Sequence, residues 1–263
     1  MVFDFCKYHG TGNDFIMADN RNRKFRLSGD QIRRLCLRHF GIGADGLIYL
    51  NKSVTADFSM EYFNADGKPG TMCGNGGRCI AAFAKMLGIV DREARFEASD
   101  GIHHALILRT ENGQSTVKLK MKDVYGIREL EDGFFVDTGS PHFIRFVDDV
   151  DQIDLLTVGK EIRWSKRFAP GGTNVNFVQV HGNLLKIRSY ERGVENITLS
   201  CGTGVVGAAL AASYQGLIKG NSISVLTRGG ELVVDFRPDK KQVYREVFLE
   251  GPAQYVFQGR IKL

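Results

Sequence analysis

One phrase stands twice in this chain. Residues 73–88 read CGNGGRCIAAFAKMLG, and residues 201–216, about half a chain length later, read CGTGVVGAALAASYQG. The leading cysteine, the Gly-x-Gly that follows it, two alanines and the closing glycine recur at the same offsets. A second landmark precedes each phrase by nearly the same distance: Thr11-Gly12-Asn13-Asp14-Phe15-Ile16 before the first, Thr138-Gly139-Ser140-Pro141-His142-Phe143-Ile144 before the second. Two landmarks at matching spacing constrain the chain to fold as two similar units rather than one continuous core. The halves are expected at residues 1–113 and 114–252, meeting in the polar stretch Thr110-Glu111-Asn112-Gly113-Gln114.

The length of 263 residues is enough for two modest cores. Alternating apolar runs predict strands at Phe58 to Phe63, Ala105 to Leu108, Thr116 to Met121, Asn176 to Val180, Leu185 to Tyr190, Ser222 to Leu226 and Leu232 to Phe236. Helical signals are fewer. Ser28-Gly29-Asp30 opens a helix running toward His39, with Ser28 or Asp30 as its cap. Residues 74–87 and 202–215 form two helices rich in small residues, each ended by a glycine, Gly88 and Gly216. The fold class is α/β (α+β): two pseudo-symmetric domains, each a curled, mostly antiparallel β-sheet or barrel around one central helix.

Bulk properties exclude several functions. Apolar content of 43% and charged content of 25% are ordinary for a globular protein. A net charge of +5 is spread along the chain without aromatic interleaving, which argues against a nucleic-acid partner. No apolar run approaches a membrane span, and the first residues do not read as a secretory signal. A cytoplasmic protein with reduced thiols is expected. Five cysteines, with no pair two residues apart, favour neither a disulfide framework nor a metal site.

The chemistry is carried by Cys73 and Cys201. Each precedes a helix whose first N–H groups are unpaired and favour an anion. Gly74, Gly76, Gly202 and Gly204 leave those groups unobstructed. If the halves face each other, the two helix ends make a seat for a substrate carboxylate. A thiolate on one face could then remove the α-proton of an amino acid while a thiol on the other face returns one. Configuration inverts, and no cofactor is needed. Cys6, Cys36 and Cys79 lack a matching partner and are expected in the core.

Longer segments resemble the diaminopimelate epimerases: HGTGNDF at 9–15, GIGADG at 41–46, FNADGKPGTMCGNGGRC at 63–79, GSPHF at 139–143, GGTNVNFVQV at 171–180, YERG at 190–193 and CGTG at 201–204. The resemblance implies a cofactor-independent isomerase that interconverts LL- and meso-diaminopimelate in lysine and peptidoglycan-precursor synthesis. It also implies a homodimer, and residues 253–263 returning to the first half as an added strand. By motif, Cys73 and Cys201 are the acid/base thiols, and Gly74, Asn75, Gly202 and Thr203 cradle the reacting carboxylate. Asn13, Asn64, Asn174 and Arg192 hold the substrate, Glu191 partners its amino group, and His142 tunes the thiols. Three positions depart from the pattern: Ser140 where many members carry asparagine, Gly46 where some carry glutamine, and Ile197-Thr198 where a Glu-Thr pair is usual, with Glu195 nearby.

Two other readings compete. GTGVVG at 202–207 matches a dinucleotide-binding fingerprint, but the following strand lacks the acidic residue that such a site needs. A two-thiol racemase acting on proline-like amino acids shares the chemistry, yet a cyclic imino acid needs no site for a distal ammonium group.

Overall fold

In the computed structural model, which describes residues 2–239 and 242–263, the chain divides into two compact units. One ends at Leu119 and is rejoined by Gly251–Leu263; the other is Lys120–Glu250. The first carries β1 (Val2–Gly10), β2 (Asn13–Asp19), α1 (Gly29–Cys36), β3 (Gly46–Asn51), β4 (Phe58–Asn64), α2 (Gly74–Met86), β5 (Glu93–Ala98), β6 (Gly101–Glu111) and β7 (Gln114–Lys120). Next come β8 (Val124–Tyr125), β9 (Ile127–Leu130), β10 (Gly133–Asp137), β11 (Pro141–Phe146), α3 (Leu155–Arg163), β12 (Asn174–His181) and β13 (Leu184–Glu191). β14 (Asn196–Thr198), α4 (Gly202–Tyr214), β15 (Ser222–Thr227), β16 (Gly230–Pro238) and β17 (Val243–Lys262) complete the chain.

In the first unit each strand from β1 to β7 pairs with the next, β7 pairs with Gly251–Gln254 of β17, and the last part of β17, from Gln254 to Lys262, pairs back onto β1. The ring is closed, so no edge is left to aggregate. Two of its pairings, β2 with β3 and β4 with β5, are parallel. Parallel neighbours need a crossover, and α1 and α2 are those crossovers.

The second unit repeats the plan. Its ring runs β9, β10, β11, β12, β13, β15, β16, the first part of β17, and β8. Only Gly126, at φ +100°, separates β8 from β9. The parallel steps are β11 with β12 and β13 with β15, crossed by α3 and α4.

Strand alternation sorts the side chains of each unit. Leu47 and Tyr49 of β3 join Ile32, Leu35 and Cys36 of α1 in one cluster. Their neighbour Ile48 points the other way and would meet a Cβ at Gly76 of α2 at 3.1 Å. In the second unit Leu155 and Ile162 of α3 pack with Phe143, Val175, Phe177 and Tyr190. The α4 side chains from Val205 to Ala212 are all buried, as a helix enclosed by a ring requires.

Three expectations are corrected. Residues 110–114 are not the junction: Asn112 and Gly113 are the turn of the β6–β7 hairpin, because Glu111 pairs with Gln114, and the chain leaves the first unit only after Leu119. The return to that unit begins at Gly251 rather than residue 253, since Gly251 and Pro252 already pair with β7. Ser28 does cap α1, in a capping box with Gln31, but the helix stops at Cys36. Its last carbonyls are taken by the following loop, with Ile42 and Gly43 both donating to Leu35 O at 2.8 and 3.0 Å.

Candidate active site

Cys73 is the N-cap of α2, and its sulfur accepts the Gly76 N–H at 3.2 Å. The preceding turn puts Thr11 at φ +48° and Gly12 at φ +86°, which reverses the chain and starts β2 at Asn13. The Asn13 amide donates Nδ2–H to Asp45 Oδ2 at 2.8 Å and accepts from Asn75 Nδ2 at 3.2 Å. Its Oδ1 lies 4.0 Å from the Cys73 sulfur. Asn75 Oδ1 in turn accepts from Arg78 Nη2 at 2.8 Å and from the Thr11 hydroxyl at 3.3 Å. Asn64, in the turn that closes β4, is exposed and makes no side-chain hydrogen bond among the described residues. Cys79 is fully buried, and burial raises its pKa.

Cys201 stands at the same end of α4. Its sulfur is 3.6 Å from the Thr203 hydroxyl, which is 2.9 Å from His142 Nε2 and 3.2 Å from the Ser140 hydroxyl. Ser140 Oγ is itself 2.9 Å from Nε2. The Thr138 hydroxyl holds the Thr203 carbonyl at 3.0 Å. Asn174 acts as a strut: its Oδ1 accepts the Arg192 N–H at 2.9 Å and its Nδ2 donates to Pro141 O at 2.9 Å. The exposed Arg192 guanidinium reaches Gly171 O at 3.5 Å. Glu191 Oε1 accepts from the Thr198 hydroxyl.

Burial and then the Glu191 carboxylate raise the pKa of Cys201, against the weaker pull of the Thr203 hydroxyl and the Gly204 N–H. Burial, helped by the Arg192 charge, lowers His142 to about 3, so its imidazole is neutral.

The departures from the motif pattern have local causes. A Cβ at Gly46 would lie 2.5 Å from both Phe63 O and the Tyr62 ring, so no larger residue fits where some relatives carry glutamine. Ile197 packs against the α3 cluster, while the Thr198 hydroxyl donates to Glu191. Sequence reasoning missed Thr11, Asp45, Arg78, Thr138, Asn176 and Thr198. Arg78 alone left a signal, as a charged residue inside an otherwise small and apolar helical phrase.

A ring of strands around a helix with a cysteine at its N-cap, built twice in one chain, defines a duplicated α/β fold. The sequence matches the diaminopimelate epimerase family over residues 5–125 and 134–256, and the chain belongs to that family. It is 47% identical to the diaminopimelate epimerase of Chlorobaculum tepidum, covering 97% of this chain and 99% of that one. It is 45% identical to that of Flavobacterium psychrophilum, covering 97% and 98%. Among solved structures, a phenazine biosynthesis protein of the PhzF family from Bacillus anthracis superposes over 100% of both chains with a TM-score of 0.78 at 14% identity, a likeness of fold alone.

Proposed function

We propose that this protein interconverts LL- and meso-diaminopimelate by moving a proton at one α-carbon, with Cys73 and Cys201 as base and acid and with no cofactor. Family membership over nearly the whole chain supports the substrate. The observation that carries the mechanism is the repeated placement of a thiol at the N-cap of a buried helix.

Deprotonation at the α-carbon puts negative charge into the carboxylate. The N–H groups at Gly74, Asn75, Gly202 and Thr203 are suited to that charge, and preorganised donors of this kind contribute on the order of 3 kcal/mol each. One thiolate takes the proton and becomes a thiol; the other thiol gives its proton to the opposite face and becomes a thiolate. Protons balance and configuration inverts. Glu191 accepts from the substrate ammonium, Arg192 meets the distal carboxylate, and Asn13, Asn64, Ser140 and Asn174 complete its surroundings. The neutral His142 steadies the Thr203 hydroxyl beside Cys201. A cytoplasmic homodimer serving lysine and peptidoglycan-precursor synthesis goes with this reading.

The test is solvent exchange. Purified protein in deuterated water should exchange the α-hydrogen of LL-diaminopimelate and yield the meso form without added cofactor. Absence of exchange between about pH 6 and 9, a range that spans the free-thiol pKa of about 8.5, overturns the assignment.

A further inference from the structure

One guanidinium ties the turn that carries Arg192 to the loop that leads into β12. Arg163 closes α3, and its side chain is only 7% exposed. Its Nε and Nη2 donate to Glu195 Oε1 at 3.1 and 2.9 Å, and its Nη1 donates to Gly171 O at 3.3 Å. The exposed Trp164 ring lies over it, with the ring centre 4.1 Å from Cζ.

The backbone on both sides is shaped to this contact. Glu195 stands at φ +54°, a left-handed conformation uncommon for a residue with a Cβ. Such a residue persists where its surroundings hold it. Here its own N–H donates to Glu191 O at 2.8 Å, and its Oε1 also accepts the Gly193 N–H at 2.9 Å. The carboxylate thus closes the turn from Glu191 to Glu195. On the other side, Gly172 has φ +66°, and a Cβ there would lie 1.7 Å from Arg163 Nη1. The Gly171-Gly172 backbone rests on the guanidinium, which a side chain at 172 would prevent.

Arg192 is held from the same two places. Its backbone lies in the turn that Glu195 closes, and its N–H donates to Asn174 Oδ1 at 2.9 Å. Its Nη1 reaches Gly171 O at 3.5 Å, the carbonyl that Arg163 also holds.

We propose that Arg163 and Glu195 are positioning residues for Arg192: their ion pair clamps the 191–195 turn to the Gly171-Gly172 loop and so sets where the Arg192 guanidinium meets a substrate carboxylate. Neither residue touches the substrate. The consequence for binding rests on the role of Arg192 proposed above; the clamp itself belongs to the free protein. Arg192 addresses the end of the substrate that does not react, so loosening it weakens binding more than chemistry.

The test joins amide hydrogen exchange, read by NMR, with the kinetics of α-hydrogen exchange from diaminopimelate. In the wild type the Gly193 and Glu195 amides should exchange about tenfold or more slower than in an unfolded chain. Glu195→Asn removes the carboxylate with a residue that tolerates the left-handed backbone. A double variant, Arg163→Met with Glu195→Asn, also removes the cation that would be left unpaired. In both, the Gly193 amide should lose its protection, and KM should rise about tenfold with kcat within about threefold of the parent. A folded variant with the parent KM overturns the proposal, and so does one that loses kcat at unchanged KM. A wild-type Gly193 amide as fast as that of an unfolded chain overturns it even if neither variant folds. The two readings separate cleanly. Protection that is lost in the variants, in a wild type that does not exchange the α-hydrogen, leaves the clamp standing and sinks the function; α-hydrogen exchange with an unmoved KM sinks the clamp alone.

Discussion

Asn176 Nδ2 donates to His142 Nδ1 at 3.1 Å, and this bond decides where the imidazole keeps its proton. The same Nδ2 donates to Phe143 O at 3.1 Å, and Asn176 Oδ1 accepts the Ser189 hydroxyl at 2.8 Å. A carbonyl cannot donate, so the amide has one orientation and His142 carries its hydrogen on Nε2, toward Ser140 and Thr203. Asn176→Asp replaces the donor with an acceptor. The ring should then gain a proton at Nδ1 and titrate well above its parent value of about 3. Imidazole nitrogen shifts followed by NMR across the acid range would show this, and an unchanged tautomer would refute it.

Gly204 makes room for that bond. A Cβ there would lie 2.4 Å from Asn176 Oδ1 and 3.3 Å from His142 Cε1. Gly204→Ala should therefore lose about 1–3 kcal/mol in urea unfolding. Gly207, one turn on, meets nothing closer than 3.5 Å. Gly207→Ala should be neutral or gain up to about 1 kcal/mol from helix propensity. Equal losses at the two sites would refute the crowding argument.

His142 also gives the fold a pH dependence. Its pKa falls from an ordinary 6.5 to about 3 because it is buried. Above pH 6.5 neither the folded nor the unfolded chain binds the proton, and the stability is fully present. Between those values the unfolded chain takes up a proton that the fold refuses. Stability then drops as the pH falls, by about 1.4 kcal/mol per pH unit from this residue. Urea midpoints at pH 7, 6 and 5 should fall more steeply for the parent than for His142→Gln. Parallel slopes would mean that His142 accepts its proton inside the fold.

Much of this arrangement was legible in the sequence because it is local. A cysteine, a Gly-x-Gly and a run of small residues closed by glycine mark α2 and α4 within a residue of their observed ends, Met86 and Tyr214. The return of the last residues to the first half came only through the family resemblance, since closure of that ring depends on β17 pairing with both β7 and β1, far away in the chain. Helix α3 went unread: Thr157, Val158 and Gly159 weaken its helical signal, and only its packing on Tyr190 explains why glycine is needed, with a Cβ at 2.7 Å. Asn176 was hidden for a similar reason. In a strand of alternating apolar residues it reads as the polar face, yet it is fully buried against His142.

Cys73 has two duties that a single substitution can separate. As N-cap it accepts the Gly76 N–H, and serine performs that task at least as well. As an acid/base group it must ionise near neutral pH, which a serine hydroxyl does not. Cys73→Ser should therefore unfold within about 1 kcal/mol of the parent while α-hydrogen exchange falls by roughly 10²-fold or more. Cys79→Ala removes a sulfur that is 0% exposed on the same helix. It should show the opposite pattern, losing about 1–2 kcal/mol to the small cavity and keeping most of the exchange. Urea unfolding and deuterium incorporation, measured on the same preparations, place each variant. If Cys73→Ser retained exchange, the proton would have to be moved by another group, and the Cys73 thiol would be a cap and nothing more.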